Sequence, residues 1–385
     1  MATAQATLAF DDLPLPQRRL PSQRPLVRTP SATRLAMLPA ARVAEAPALL
    51  PADDAAATPD PAFALGWDYA HHGLVPPAEH LLAGHPLRHG WEAGRAAFGG
   101  RTLRAGDRVQ RWLSLRLAAW LQGQPFETTE VTANYLAQID SARCPVTRAV
   151  LGGDTAAGQE AAQVERLNHR GGYAAGNLAT MSQRPAQAKG GKRWDEARLA
   201  AVLAEARAAE GNGTVEGLGS AEWARLATLM SFATPLPHEL AATLPLRVLP
   251  PNRVRLINPI QGLQALVTLQ LTHAGFAARI AQLVSLLPGL DLRRDFHLFF
   301  HSLLPRAWQG GRPASAEVMR ERLEDAWGDA DVLRRWQRFA SQLSAEQADQ
   351  LLQKLVAKGL ASGLPGAQRV QWHTPARATE GWALA

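Results

Sequence analysis

The segment from Val164 to Gly191, VERLNHRGGYAAGNLATMSQRPAQAKGG, constrains this chain more than any other stretch. Gly171-Gly172 and Gly176-Asn177 permit two tight turns so close together that no long element fits between them. Gln163 to Leu167, ahead of the first turn, suits a short strand, and Leu178 to Met181, after the second, suits another. Ser182 is a good N-cap, Pro185 is tolerated in a first helical turn, and Gly190-Gly191 ends the helix. The expectation is two strands followed by a short helix, a ββα unit. Upstream, Cys144-Pro145-Val146-Thr147 opens a short extended segment, and Gly152-Gly153-Asp154 begins a glycine-rich loop.

This ordered series resembles the HNH endonuclease family, in its phage and bacterial branch. The matching residues are Cys144-Pro145-Val146-Thr147, Arg166 within Val164-Glu165-Arg166-Leu167-Asn168, Gly172-Tyr173-Ala174-Ala175-Gly176-Asn177-Leu178, and Lys189. The match covers about residues 141–192 of 385. In that family the ββα unit grips a divalent cation that polarises a phosphodiester, while a general base prepares water. The resemblance therefore implies Mg²⁺ or another divalent cation if the chain is active, and no cofactor otherwise.

Carried over position by position, the family's metal-binding aspartate becomes Glu165, a carboxylate on a longer arm. The usual general base falls on Arg166, which accepts no proton at neutral pH. The bracing asparagine is kept as Asn177, and Cys144, Gly172, Tyr173 and Gly176 complete the structural motif. The distal ligand position falls on Ala186; its neighbour Gln187 lies about 100° further around the helix. His169, in the loop after Glu165, is the alternative base or ligand, with Asp154 and Glu160 as alternative carboxylates. The resemblance thus implies a retained scaffold with altered chemistry, in which Glu165 is the metal ligand and Glu165 and His169 are the catalytic candidates.

Charge supplies a second signal. Lys and Arg number 41 against 34 Asp and Glu, a formal net charge of +7, but the cations are almost all arginine and the total reflects that bias. Placement says more than the sum. From Arg143 to Arg193 there are eight cations against three anions, and from Arg88 to Arg116 seven arginines against Glu92 and Asp107. Arg143, Arg148, Arg166, Arg170, Arg184, Lys189 and Lys192 are therefore the candidates for contacting phosphates, with DNA the expected partner and RNA the alternative.

The rest of the chain reads as mainly α. Residues 1–60, rich in Pro, Ala and Arg, lack any period and suggest a disordered tail; 61–140 form a helical lead-in and 193–385 a helical domain whose partner is not indicated. Apolar periodicity predicts helices at Asp107–Gln122, Thr129–Ile139, Trp194–Ala209, Ala221–Ser231, Phe296–Leu304, Ala316–Trp327, Asp331–Gln342 and Ala345–Leu360. The last of these carries a capping box at Ser344 and Gln347. Pro259–Leu287 suggests a buried helical pair, because its glutamines, His273 and Arg279 interrupt any membrane span, and Leu246–Ile257 suggests a β-hairpin. The single cysteine excludes an intramolecular disulfide framework and, with no apolar leader, predicts a cytoplasmic setting without membrane partners.

Among His71, His72, His80, His85 and His89 only His85 and His89 have a regular ligand spacing, and the stretch reads as a packed or hydrogen-bonded connector; His297 and His301, set among phenylalanines, favour packing. No P-loop, dinucleotide fingerprint or nucleophile elbow is present. Three classes remain: a nucleic-acid-binding protein with a weak or silent nuclease-like unit, an active metal-dependent endonuclease with a rearranged site, and an interaction scaffold with a structural ββα insert. A short distance from carboxylate to helix ligand favours the second, and a neutral surface around Arg166 and Arg184 favours the third.

Overall fold

Helices α1 (Pro61–His71) and α2 (Pro86–Phe98) both start on proline, whose fixed φ suits a first helical turn. The Asp60 carboxylate accepts from Ala62 N–H at 2.9 Å, and His85 Nδ1 accepts from Leu87 N–H at 3.2 Å, so each entry is capped. The two helices cross backbone to backbone at glycines. A Cβ on Gly66 would lie 2.0 Å from the Leu87 carbonyl oxygen, and one on Gly90 would lie 2.0 Å from that of Phe63. The expected helical lead-in over 61–140 carried no bounds for these two helices. Gly90→Ala is expected to lower stability by about 2 kcal/mol, since the overlap outweighs the gain of up to about 1 kcal/mol in helix propensity. Thermal melting checks this, and an unchanged midpoint would contradict the close crossing.

The described residues of this computed structural model are 60–151, 160–311 and 313–360, with the backbone of 371–372; the expected N-terminal tail lies outside them. Helix α3 (Asp107–Leu121) follows the expected span. Helix α4 (Ala133–Ile139) starts later than expected, because Thr132 Oγ1 caps it by accepting from Tyr135 N–H at 3.2 Å. Strands β1 (Ala162–Arg166) and β2 (Leu178–Ser182) pair antiparallel, with Glu165 opposite Ala179 and Arg166 opposite Leu178. Helix α5 (Gln183–Lys189) leaves β2 directly and ends at Gly190, whose φ of 48° suits glycine.

Helix α6 (Trp194–Ala208) then leads through the two-residue strands β3 (Thr214–Val215) and β4 (Leu218–Gly219) to α7 (Ser220–Phe232) and α8 (His238–Thr243). The expected hairpin at Leu246–Ile257 does not form. Leu246, Val248, Leu249 and Val254 are all buried, so the segment threads a core and does not alternate between core and solvent; only β5 (Arg255–Leu256) is extended, parallel to β6 (Gln371–Trp372).

The remaining helices are α9 (Pro259–Gln270), α10 (Phe276–Leu286), α11 (Leu290–Ala307), α12 (Ala316–Ala326), α13 (Ala330–Ala340) and α14 (Ala345–Ala357). Of the expected buried pair both helices form, but only α9 is buried along its length, since α10 buries just Ile280 and Leu283; the glutamines on α9 have a structural use. Gln261 donates to Ser231 Oγ, Gln264 to the Leu244 carbonyl and Gln270 to that of Leu360, so buried amides satisfy loop ends. No helix among the described residues is long and apolar enough to cross a membrane. The Ser344–Gln347 capping box is formed in both directions, at 3.1 and 2.9 Å.

The described residues form one compact unit. Its largest core runs without a break from Cys144, Leu167 and Met181 through Trp223 to Phe296, Trp327 and Trp336. The hairpin and the C-terminal helices therefore share one interior across residue 192. A second cluster seats α3 and α4 against the other side of the hairpin through Ala119, Tyr135, Val164, Tyr173 and Leu178.

Candidate functional site

The hairpin's connecting loop is held by asparagine side chains. Asn177, fully buried, accepts from Asn168 N–H at 2.8 Å and donates to the carbonyls of Asn168 and Gly172, each at 2.9 Å. Gly176 N–H donates to Tyr135 Oη at 2.8 Å, and burial pushes that phenol up to about 12, so it stays protonated. A Cβ on Gly172 would lie 2.7 Å from the Pro125 carbonyl oxygen, which explains glycine there. Tyr173 packs its ring on Phe126 and beneath the Arg166 guanidinium, 4.9 Å from the ring centre.

The lone thiol organises the segment before the hairpin. Cys144 Sγ accepts from the backbone N–H of Thr147 at 3.4 Å and of Ser182 at 3.3 Å. The turn passes through Arg148 in the left-handed region, at φ 63°.

Glu165 and His169 are brought together, and a third residue joins them. Lys189 Nζ lies 3.0 Å from Glu165 Oε1 and 2.5 Å from His169 Nε2, with its side chain fully buried. Burial pushes the Lys189 ammonium down while Glu165 opposes that shift; burial, Lys189 and Arg166 together push His169 below its ordinary value. A neutral imidazole accepts at Nε2 and a carboxylate accepts at Oε1, so the two match two of the three ammonium protons. Arg166 is buried too and donates to Gln124 Oε1 at 2.7 Å and the Gly171 carbonyl at 3.2 Å.

A divalent cation does not fit beside these groups as they stand. Mg²⁺ requires several oxygen ligands at short range, yet the ammonium already engages Glu165 Oε1 and His169 Nε2, and Ala186 offers no donor atom. Among the described residues no three His, Cys, Asp or Glu side chains gather as a metal-holding group.

Beside the triad opens a cavity of about 430 Å³ between α3 and β1. Arg111, Ser114, Leu115 and Ala118, spaced along one face of α3, form one wall; Glu165, Arg166, His169 and Tyr173 form the other. Arg111 pairs with Asp140 at 2.5 Å through one nitrogen, while its Nη2 is buried without a partner. Arg166 Nε is likewise buried and unpartnered. In the sequence Arg111 is one of the seven arginines between Arg88 and Arg116; its place on the cavity wall depends on how α3 docks. Arg116, another of the seven, is buried, paired with Asp68 and stacked 4.7 Å over Trp112.

The expected phosphate-facing cations are distributed differently from their clustering in sequence. Arg148 joins Asp325 at 2.7 Å and Glu324 at 3.3 Å, tying the Cys144 turn to α12. Arg184 holds Glu222 at 2.8 Å and Glu160 at 3.4 Å, and Lys192 holds Glu216 at 2.6 Å. Lys189 and Arg166 are buried as described, so only Arg143 and Arg170 of the seven candidates are exposed. Carboxylates distant in sequence account for this, and charge counting along the chain cannot see them. Arg101, Arg104 and Arg108, at the start of α3 and just before it, are exposed. Asp154 lies outside the described residues.

The other histidines form no comparable cluster. His297 and His301 stack with ring centres 6.1 Å apart on α11, and His80 and His85 lie against the Trp120 ring.

No protein-family model matches the chain, and no curated protein or solved structure matches it either.

Proposed function

We propose that this chain is a nucleic-acid-binding protein carrying an HNH-endonuclease-like ββα unit whose hydrolytic activity is reduced or lost. The observation that carries the reading is the cavity between α3 and β1. Two arginines, Arg111 and Arg166, line it together with Glu165 and His169, and each has a buried nitrogen lacking a partner. Orphaned buried donors are costly and call for an acceptor, and a phosphodiester oxygen is one of the right charge and geometry. Arg108 stands about one turn before Arg111 on α3, and Arg101 and Arg104 precede the helix, all three exposed. Such contacts hold a backbone without reading bases. DNA is the proposed ligand, with RNA the alternative.

The test is a mobility-shift titration of labelled duplex at several salt concentrations. Arg108→Ala with Arg111→Ala is expected to weaken binding at least several-fold and to flatten the salt slope by about one to two units. No shift by the wild type at low salt would sink the proposal. In the same preparation, Mg²⁺ or Mn²⁺ is expected to support little or no nicking of plasmid DNA.

A second reading, an endonuclease with a rearranged site, draws on the same convergence of Glu165 and His169, since a neutral imidazole beside a carboxylate can act as a base. Robust nicking abolished by Glu165→Ala or His169→Ala would establish it in place of the first.

A further inference from the structure

We propose that the ammonium of Lys189 is the resident cation of this site, standing between Glu165 and His169 in place of a divalent ion, so that the adjoining cavity takes its ligand without metal. The inference deepens the nucleic-acid reading but rests on side-chain geometry that holds whatever the ligand is.

Lys189 is the last residue of α5, where the chain turns away at Gly190. Its side chain runs back beneath the hairpin instead of out to solvent and is as fully buried as the largest core aromatics. A lysine is rarely found so deep unless paired. Here the pairing is two-sided: a carboxylate oxygen from β1 at 3.0 Å and an imidazole nitrogen from the following loop at 2.5 Å. Oxygen and nitrogen donors converging from two elements on one positive centre is the arrangement expected around a bound metal ion, except that the centre is covalently part of the chain.

The surrounding charges favour one cation and disfavour another. Among the described residues Glu165 is the carboxylate paired with the Lys189 ammonium, while Arg166 acts on it as a like charge. A divalent ion added beside Lys189 would raise the local positive charge by two, against that one carboxylate among the described residues. Removing the ammonium would leave Glu165 and His169 converging on a vacant position with their lone pairs free. The site is thus a latent metal centre held shut by its own lysine.

The experiment is a Mn²⁺ titration of the full-length protein without nucleic acid, read by paramagnetic broadening of the His169 ring signals and by calorimetry. Wild type is expected to show no binding through Glu165 and His169. Lys189→Met, which keeps most of the apolar stem but removes the charge and the donors, is expected to bind Mn²⁺ at least roughly 100-fold more tightly than any weak binding seen for wild type, and Glu165→Gln in that background to abolish the gain. Wild type binding as tightly as Lys189→Met through Glu165, or a folded Lys189→Met that gains nothing, would overturn the proposal. A wild-type readout needs no variant should Lys189→Met fail to fold: a slowly exchanging ¹⁵N signal from the Lys189 ammonium is expected to persist unshifted in millimolar Mg²⁺, and its loss or displacement on adding Mg²⁺ overturns the proposal. Failure of DNA to bind would leave all these results standing, so the two readings fail separately. If the duplex does bind, chelation by EDTA is expected to leave the wild-type shift unchanged, and loss of the shift on chelation counts against a resident ammonium.

Discussion

Replacing Asn177 by alanine is expected to lower the free energy of unfolding by roughly 3–5 kcal/mol, among the largest effects of any polar substitution in this chain. The side chain is fully buried and makes three hydrogen bonds to the backbone of Asn168 and Gly172. Alanine supplies none of them, so the Asn168 N–H is left without a partner, while the carbonyls of Asn168 and Gly172 keep only the N–H of Gly171 at 3.2 Å and of Ala174 at 2.9 Å. The orphaned N–H costs about 1–3 kcal/mol and each of the two lost bonds about 0.5–1.5 kcal/mol, with less than full additivity because the three share one loop. The same loop carries His169, so the substitution is also expected to loosen the His169–Lys189 contact. Urea denaturation measures the first effect, and the His169 ring signals in NMR report the second. A loss below about 1 kcal/mol would mean that the loop is held by other groups.

Trp327→Ala is expected to cost about 3–5 kcal/mol, and to do so for the hairpin as well as for the C-terminal helices. Trp327 is 1% exposed, packs its ring 5.4 Å from that of Phe299 and 5.5 Å from that of Trp336, and donates its indole N–H to Thr268 Oγ1 at 3.1 Å. Removing it opens a large cavity at the meeting of α9, α11, α12 and α13. Because one core runs from these helices to Cys144, unfolding should be a single event. Cys144, buried and the only thiol in the chain, is a built-in reporter: its reaction with a disulfide reagent should begin at the same urea concentration as the loss of helical circular dichroism, in wild type and variant alike. A thiol that becomes reactive well before or after the helices melt would divide the chain into independently folding parts at about residue 192.

Local signals were strong where a single residue type decides a backbone state. Gly190 as a helix end, Ser344 as a cap, and the apolar stripes of α3 and α13 were readable, because each depends on neighbours within about one helical turn. The hairpin was readable for the same reason: its turn residues lie next to the strands they join. The bounds of α1 and α2 within the expected helical lead-in were not, since Gly66 and Gly90 weaken a helix in isolation and make sense only where another backbone comes within contact distance.

What the sequence determined by itself is the order and type of the elements around Glu165, together with the residues available there: a carboxylate, an arginine where a base was expected, an alanine where a ligand was expected, and a lysine at the end of the helix. Only the tertiary structure decided which charges remain available to a partner. Arg148, Arg184 and Lys192 are engaged by Glu324, Asp325, Glu222 and Glu216, carboxylates brought up by elements of the helical region. Arg111 is carried to the cavity by the docking of α3, and Lys189 is turned inward onto Glu165 and His169. Ion pairing falls off with distance in space, and distance in space between residues far apart along the chain is set by packing.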